Sequence, residues 1–121
     1  MIKLSAKEKE FFNDVIYETL QLNDYDLQCF VACEELAELI QAISKAERLG
    51  SLDISDNRDI FDNYYEFIEE QLTGEIADVY IMLAQLLRIF NISDSQIKEK
   101  IIKKLKRQAE RNKKEEDFKN V

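Results

Sequence analysis

Histidine, tryptophan and proline are all missing from these 121 residues, and glycine and cysteine occur only twice each. Each absence removes a class of chemistry or architecture. Without histidine there is no Cys/His zinc site and no Ser-His-Asp triad. The Glu-x-x-His pairs of a di-iron carboxylate bundle cannot be built either. Without proline, and with glycine only at Gly50 and Gly74, the chain has few devices for tight turns and can run long helices. Cys29 and Cys33 stand four apart, a helical spacing that suits no ordinary disulfide; they read as small reduced core residues. No window approaches the roughly 18 uninterrupted apolar residues of a membrane span, so none is expected. The segment Met1-Ile2-Lys3-Leu4-Ser5-Ala6-Lys7-Glu8 lacks the apolar stretch of a signal peptide, and a reducing cytoplasm is the expected location.

Hydrophobic residues make up 45% of the sequence, enough for a core, and the length fits one domain spanning residues 1–121. The expected fold class is all-α, a bundle of four to five helices. The net charge of -8 is unevenly spread. From Lys98 to Lys114, nine Lys or Arg face only Glu99 and Glu110, a local +7 that leaves -15 on the rest. Most of those basic residues read as a solvated helix surface. A few of them facing phosphates is the sharper reading. The strongly acidic remainder argues against a large footprint on DNA, so no stable nucleic-acid complex is expected.

Ser5 with Glu8 reads as a capping box that opens a first helix, in which Phe11, Phe12, Val15, Ile16 and Leu20 recur near the helical period. A second helix is expected from about Asp26 to Leu49, ended by Gly50, with Phe30, Leu36, Leu39, Ile40 and Ile43 on its apolar face. Between Ser51 and Asn63, Asp53, Asp56, Asp59 and Asp62 recur three apart. A calcium loop would also need a central glycine and a terminal bidentate Glu, which are missing, so a loop leading into a short helix is expected. Tyr64, Tyr65, Phe67 and Ile68 follow as an aromatic patch, read as core packing first and as a subunit or base-binding surface second. Thr73 is placed to cap a helix from Gly74 to about Phe90, broadly apolar as a central helix should be. Asn91-Ile92 turns the chain. Ser93 with Gln96 opens a last helix to about Asn112, with Ile97, Ile101, Ile102 and Leu105 inward, and Glu115 to Val121 reads as a frayed tail.

Two carboxylate pairs stand out against this background. Glu35 and Glu38 lie in Glu34-Glu35-Leu36-Ala37-Glu38, and Glu75 and Asp78 lie in Gly74-Glu75-Ile76-Ala77-Asp78. Each pair is spaced i, i+3, so on a helix both carboxylates project from one face. Acids on core-forming helices must be solvated, paired or bound to a cation. Carboxylate oxygens are hard ligands that match Mg²⁺ or Mn²⁺, and such ions complete their shells with waters and substrate phosphates. The pattern therefore points to phosphate chemistry, with an uncommitted carboxylate as general base and nearby Lys or Arg neutralising a polyphosphate.

The order of these motifs, Glu34-Glu35-Leu36-Ala37-Glu38-Leu39 followed by Gly74-Glu75-Ile76-Ala77-Asp78-Val79, resembles the paired ExxE and ExxD motifs of the MazG-like all-α nucleoside triphosphate pyrophosphohydrolases. The resemblance covers roughly residues 27–111. It implies a Mg²⁺-dependent hydrolase that converts an NTP or dNTP to the monophosphate and pyrophosphate, in nucleotide-pool housecleaning. The implied metal ligands are Glu35, Glu38, Glu75 and Asp78; one of these acids is expected also to orient the attacking water, and Glu38 is our choice for it. The family's Lys and Arg seven residues apart, on the helix after the ExxD helix, fall on Lys100 and Arg107. Lys104 with Arg111 fits the same spacing. The implied active unit is a homodimer or a dimer of dimers. The chain departs from the pattern in a longer interval between the motifs, in Lys104 where an Asn often stands, and in having no Trp for a base pocket. The alternative reading is a non-catalytic helical interaction or regulatory protein that keeps the same bundle.

Overall fold

The computed structural model describes residues 2–51 and 58–120. Every element among them is helical: α1 (Ala6–Leu22), α2 (Tyr25–Gly50), α3 (Arg58–Glu66), a π-helical segment (Phe67–Leu72), α4 (Thr73–Ile89) and α5 (Asp94–Lys119). Because α3, the π segment and α4 run on without a break, the described residues form four continuous rods. The all-α expectation holds, and no β-strand occurs among the described residues.

Local chemistry explains most of the boundaries. Both capping boxes form. Ser5 Oγ accepts from Glu8 N–H at 3.1 Å while Glu8 Oε1 accepts from Ser5 N–H at 2.9 Å, and Ser93 with Gln96 repeats the reciprocal pattern. Each box satisfies helix-start donors that the helix itself cannot reach. The bonds from Ser5 also hold the Glu8 carboxyl below its usual range. Asp24 caps α2 by accepting from Asp26 N–H at 2.9 Å. At the end of α4, Asn91 takes a positive φ of 53°. Ile92 N–H donates to the Leu87 carbonyl and Asn91 N–H to the Arg88 carbonyl, the paired bonds by which a left-handed residue closes a helix.

Three expectations are corrected. Thr73 is not a cap: its backbone is helical, its N–H and hydroxyl both turn back to the Ile68 carbonyl, and the rod continues through it. The reach of five residues is that of the π segment, whose wider turn absorbs one residue more than an α-turn. The second helix does end at Gly50 as expected, but not through a left-handed conformation, since no glycine has positive φ. A Cβ on Gly50 would stand 3.1 Å from Tyr64 Cε2, so its bare backbone admits the Tyr64 ring of α3 close against α2. The last helix runs to Lys119, so described residues of the expected tail are helical and exposed. Asp53 and Asp56 of the aspartate-rich stretch lie outside the described residues, while Asp59 and Asp62 sit on α3.

The chain divides into two compact units, Met1–Leu86 and Leu87–Val121. In the first, buried side chains come from α1 (Ile16, Leu20), α2 (Gln28, Ala32, Ala42), the π segment (Phe67) and α4 (Met82, Gln85). Several residues expected inward are not: Phe11, Phe30 and Ile40 are between 67% and 71% exposed, and Val15, Leu36 and Ile43 are also open. Cys33 is exposed and Cys29 half-buried, both as free thiols, rather than core residues. In the second unit α5 buries nothing; Ile97 is half-buried and Ile101, Ile102 and Leu105 are exposed. No single helix among the described residues is long and apolar enough to cross a membrane.

Candidate metal centre

The helical period places Glu35 and Glu38 on one face of α2 and Glu75 and Asp78 on one face of α4. The two faces meet. Of the neighbouring charges, that of Asp78 acts most strongly on Glu35, and that of Glu38 most strongly on Glu75. Rising along α2 from 35 to 38 thus descends α4 from 78 to 75, so the two helices are antiparallel. The same register continues to the π segment, where Lys45 Nζ lies 4.8 Å from the centroid of Phe67. Contact is closest between α2 and the α3–π stretch, and looser between α2 and α4. The acids therefore occupy the wider part of the cleft.

One oxygen from each of Glu35, Glu75 and Asp78 falls within 4.8 Å of the others. Oxygens on opposite sides of one octahedral Mg²⁺ stand about 4.2 Å apart, twice the metal–oxygen distance, so small side-chain movements would bring the three onto one ion. Glu38 joins through Glu75 and is itself exposed. The sequence-derived quartet is thus brought together as a tight trio with a fourth acid at its rim.

The electrostatics favour a cation. Glu35 Oε2 and Glu75 Oε2 are buried and have no hydrogen-bond partner, a costly state for a carboxylate oxygen. Both carboxyls are raised above their usual range. For Glu35 the largest cause is desolvation, followed by the charges of Asp78, Glu38 and Glu75. For Glu75 it is desolvation, then the charges of Glu38 and Asp78. Like charges converging in a partly dry cleft repel. A divalent ion with oxygen ligands removes both that repulsion and the orphaned acceptors, so the residues present fit Mg²⁺ or Mn²⁺.

The basic candidates lie on α5. Lys104, Arg107 and Arg111 line one groove of about 230 Å³ together with Gln108, and Lys100 is not in it. Steps of four, three and four residues connect Lys100, Lys104, Arg107 and Arg111, so all four follow one stripe of the helix. The two candidate Lys/Arg pairs are therefore overlapping parts of a single basic surface.

Sequence reasoning missed the surroundings of the acids. Gln28 lies seven residues before Glu35 and Gln85 seven after Asp78, and both are buried; Gln85 Oε1 has no partner. Gln41 and Lys45 lie three and seven residues after Glu38 and line a pocket of about 390 Å³ with Phe67, Gln71 and Glu75. Polar residues recurring at helical intervals from a motif acid were the available signal. No family model, curated protein or solved structure matches the chain.

Proposed function

We propose that this chain is a Mg²⁺-dependent nucleoside triphosphate pyrophosphohydrolase of the MazG-like kind. The observation that carries the reading is the convergence of the Glu35, Glu75 and Asp78 oxygens within 4.8 Å, two of their carboxylates holding an unpartnered buried oxygen. Those three residues, with Glu38 at the rim, would hold Mg²⁺. When bound there, the ion neutralises phosphate oxygens and makes an adjacent water more acidic. Glu38 is the least buried of the pairs' glutamates and accepts the proton as a water oxygen attacks the α-phosphorus. The bond from that phosphorus to the bridging oxygen breaks, and pyrophosphate leaves with the electron pair. Lys100, Lys104 and Arg107 are the proposed phosphate contacts.

The active unit proposed is a homodimer or dimer of dimers. Leu36, Ile40 and Ile43 form an exposed apolar stripe on α2, and Ile76, Tyr80 and Leu83 form one on α4. Each begins one residue after an acid, about 100° around its helix. In an antiparallel pair, that step carries both stripes to the same side. Ile81 of α4, across the helix from this stripe, instead faces α1 residues Phe12, Val15 and Ile16 around an apolar groove. One side of the helix pair is thus covered by α1 and the other presents a continuous apolar face, which a second copy would bury.

The deciding experiment incubates the protein with a panel of NTPs and dNTPs plus Mg²⁺ and identifies the products. Monophosphate with pyrophosphate is expected. Diphosphate with orthophosphate would mean γ-cleavage and overturn the mechanism. No turnover at all would leave the non-catalytic interaction protein as the better reading.

A further inference from the structure

The pocket beside the acids does not stop at Gln71. A second hollow of about 360 Å³ shares Lys45, Phe67 and Gln71 with it and continues to Leu49, Asn63 and Glu66. Together they make one trough that leads away from Glu38 and Glu75. Its far wall comes from α3 and the π segment, the stretch that lengthens the interval between the two acid motifs. The wide π turn advances less per residue than the roughly 100° of an α-helix, which keeps Phe67, Gln71 and Glu75 close to one line facing α2.

The charge of this trough decides what it can accept. Four carboxylates, Glu38, Glu66, Glu70 and Glu75, line it against the single ammonium of Lys45. A polyphosphate tail would be repelled along its length, whereas an uncharged group would not. The remaining lining is the Phe67 ring, the apolar side chains of Ala42 and Leu49, and three side-chain amides, Gln41, Asn63 and Gln71. Amides carry both donors and acceptors, and an aromatic face accepts any base by stacking. The Phe67 face is covered by the Lys45 ammonium, a long exposed side chain that can move aside. Stacking of a base on an aromatic ring is worth more than an exposed cation–π contact, so the exchange favours the base.

We infer that the trough is the nucleoside subsite: the base lies against Phe67 in place of Lys45, and Gln71 and Gln41 bond its edge. The inference deepens the hydrolase reading and takes from it that the ligand is a nucleotide. It orients the substrate, with the α-phosphate at the acids, the nucleoside toward α3 and the pyrophosphate directed elsewhere.

Saturation-transfer NMR with free adenosine, guanosine, cytidine and thymidine, in the absence of metal, tests it on the full chain. At least one nucleoside is expected to bind, and Gln71→Ala and Phe67→Leu are each expected to weaken it about tenfold, the scale of one lost hydrogen bond or stacking contact. Gln71 is exposed, so its variant tests the site even if Phe67→Leu fails to fold. Mn²⁺ affinity, followed by electron paramagnetic resonance, is expected to stay at the wild-type value in Gln71→Ala. Wild-type protein that contacts no nucleoside, or Gln71→Ala protein that binds as wild type does, overturns the subsite. Mn²⁺ binding without nucleoside contact would remove the trough and keep the metal reading; nucleoside contact without Mn²⁺ binding would do the reverse.

Discussion

At the scale of single residues, the acids carry opposing demands. Glu35, Glu75 and Asp78 converge, and their mutual repulsion costs stability, while the same arrangement suits an ion. Glu38→Gln and Asp78→Asn remove a charge at nearly constant volume. Each is expected to keep the fold and to lower kcat with an NTP by on the order of 10²-fold or more, since positioning of a catalytic metal supplies several kcal/mol. Turnover near the wild-type rate in both variants would reduce these acids to ordinary surface residues. The raised carboxyls make a second prediction. A carboxyl whose pKa rises on folding binds its proton more tightly in the folded state. Its contribution therefore favours folding at pH below the usual value of 4.5. That contribution is lost as pH climbs from there through the raised value, and at neutral pH the charged pair opposes folding. Glu75→Gln should consequently raise the Tm of the metal-free protein at pH 7. The difference should close near pH 4, where Glu75 is already protonated. Added Mg²⁺ should stabilise the wild type more than the variant. A thermal-melt series over pH, with and without Mg²⁺, reads all three outcomes.

At the scale of elements, α5 separates function from mere charge. Along this helix the stripe of Lys100, Lys104, Arg107 and Arg111 is continuous, but only the last three share a groove. Lys113 lies outside that groove. Exposed charges of this kind contribute about 0–1 kcal/mol to stability, so alanine variants should all fold. Lys104→Ala and Arg107→Ala are each expected to lower kcat/KM about tenfold through lost phosphate contacts, with Lys113→Ala close to wild type. Steady-state kinetics on the three variants tests this; equal values would make the helix a solvated surface. Lys100→Ala, one turn earlier on the same stripe, tests how far along the helix the phosphate contacts extend.

For the whole molecule, the distribution of apolar surface is the main fact. The buried set is small, and no large side chain is fully buried among the described residues. Meanwhile Leu36, Ile40 and Ile43 on α2 and Ile76, Tyr80 and Leu83 on α4 stay open. At roughly 25 cal/mol for each Å² of apolar surface removed from water, covering such a face is a substantial driving force. Sedimentation equilibrium should therefore find twice the 14.3 kDa chain mass, or four times it. Ile40→Glu, or Leu83→Glu, should shift the protein toward monomer, because a charge at a dry interface costs far more than it does in water. A wild type that sediments as a monomer at micromolar concentration would show that the face is not a self-association surface.

What was legible in the sequence by itself followed from short-range rules. Helical class came from the lack of proline and the recurrence of apolar residues near the helical period. The starts at Ser5 and Ser93 came from side chains that reach three residues, and the pairing of Glu35 with Glu38 and of Glu75 with Asp78 came from one turn of helix. Each depends on neighbours within about one turn, which the order of residues states directly. The rest depends on contacts between residues far apart in the chain. Only the folded arrangement decided that Glu35 meets Asp78 and Glu38 meets Glu75. It decided that Thr73 continues a rod rather than starting one, because its hydroxyl and N–H find the Ile68 carbonyl. Gly50 serves the approach of Tyr64 rather than a left-handed turn. Which apolar stripes face α1 and which face outward was likewise beyond the sequence, since Leu36 and Ile81 satisfy the same periodicity. Apolar spacing fixes a direction around a helix axis; only packing supplies the partner that lies in that direction.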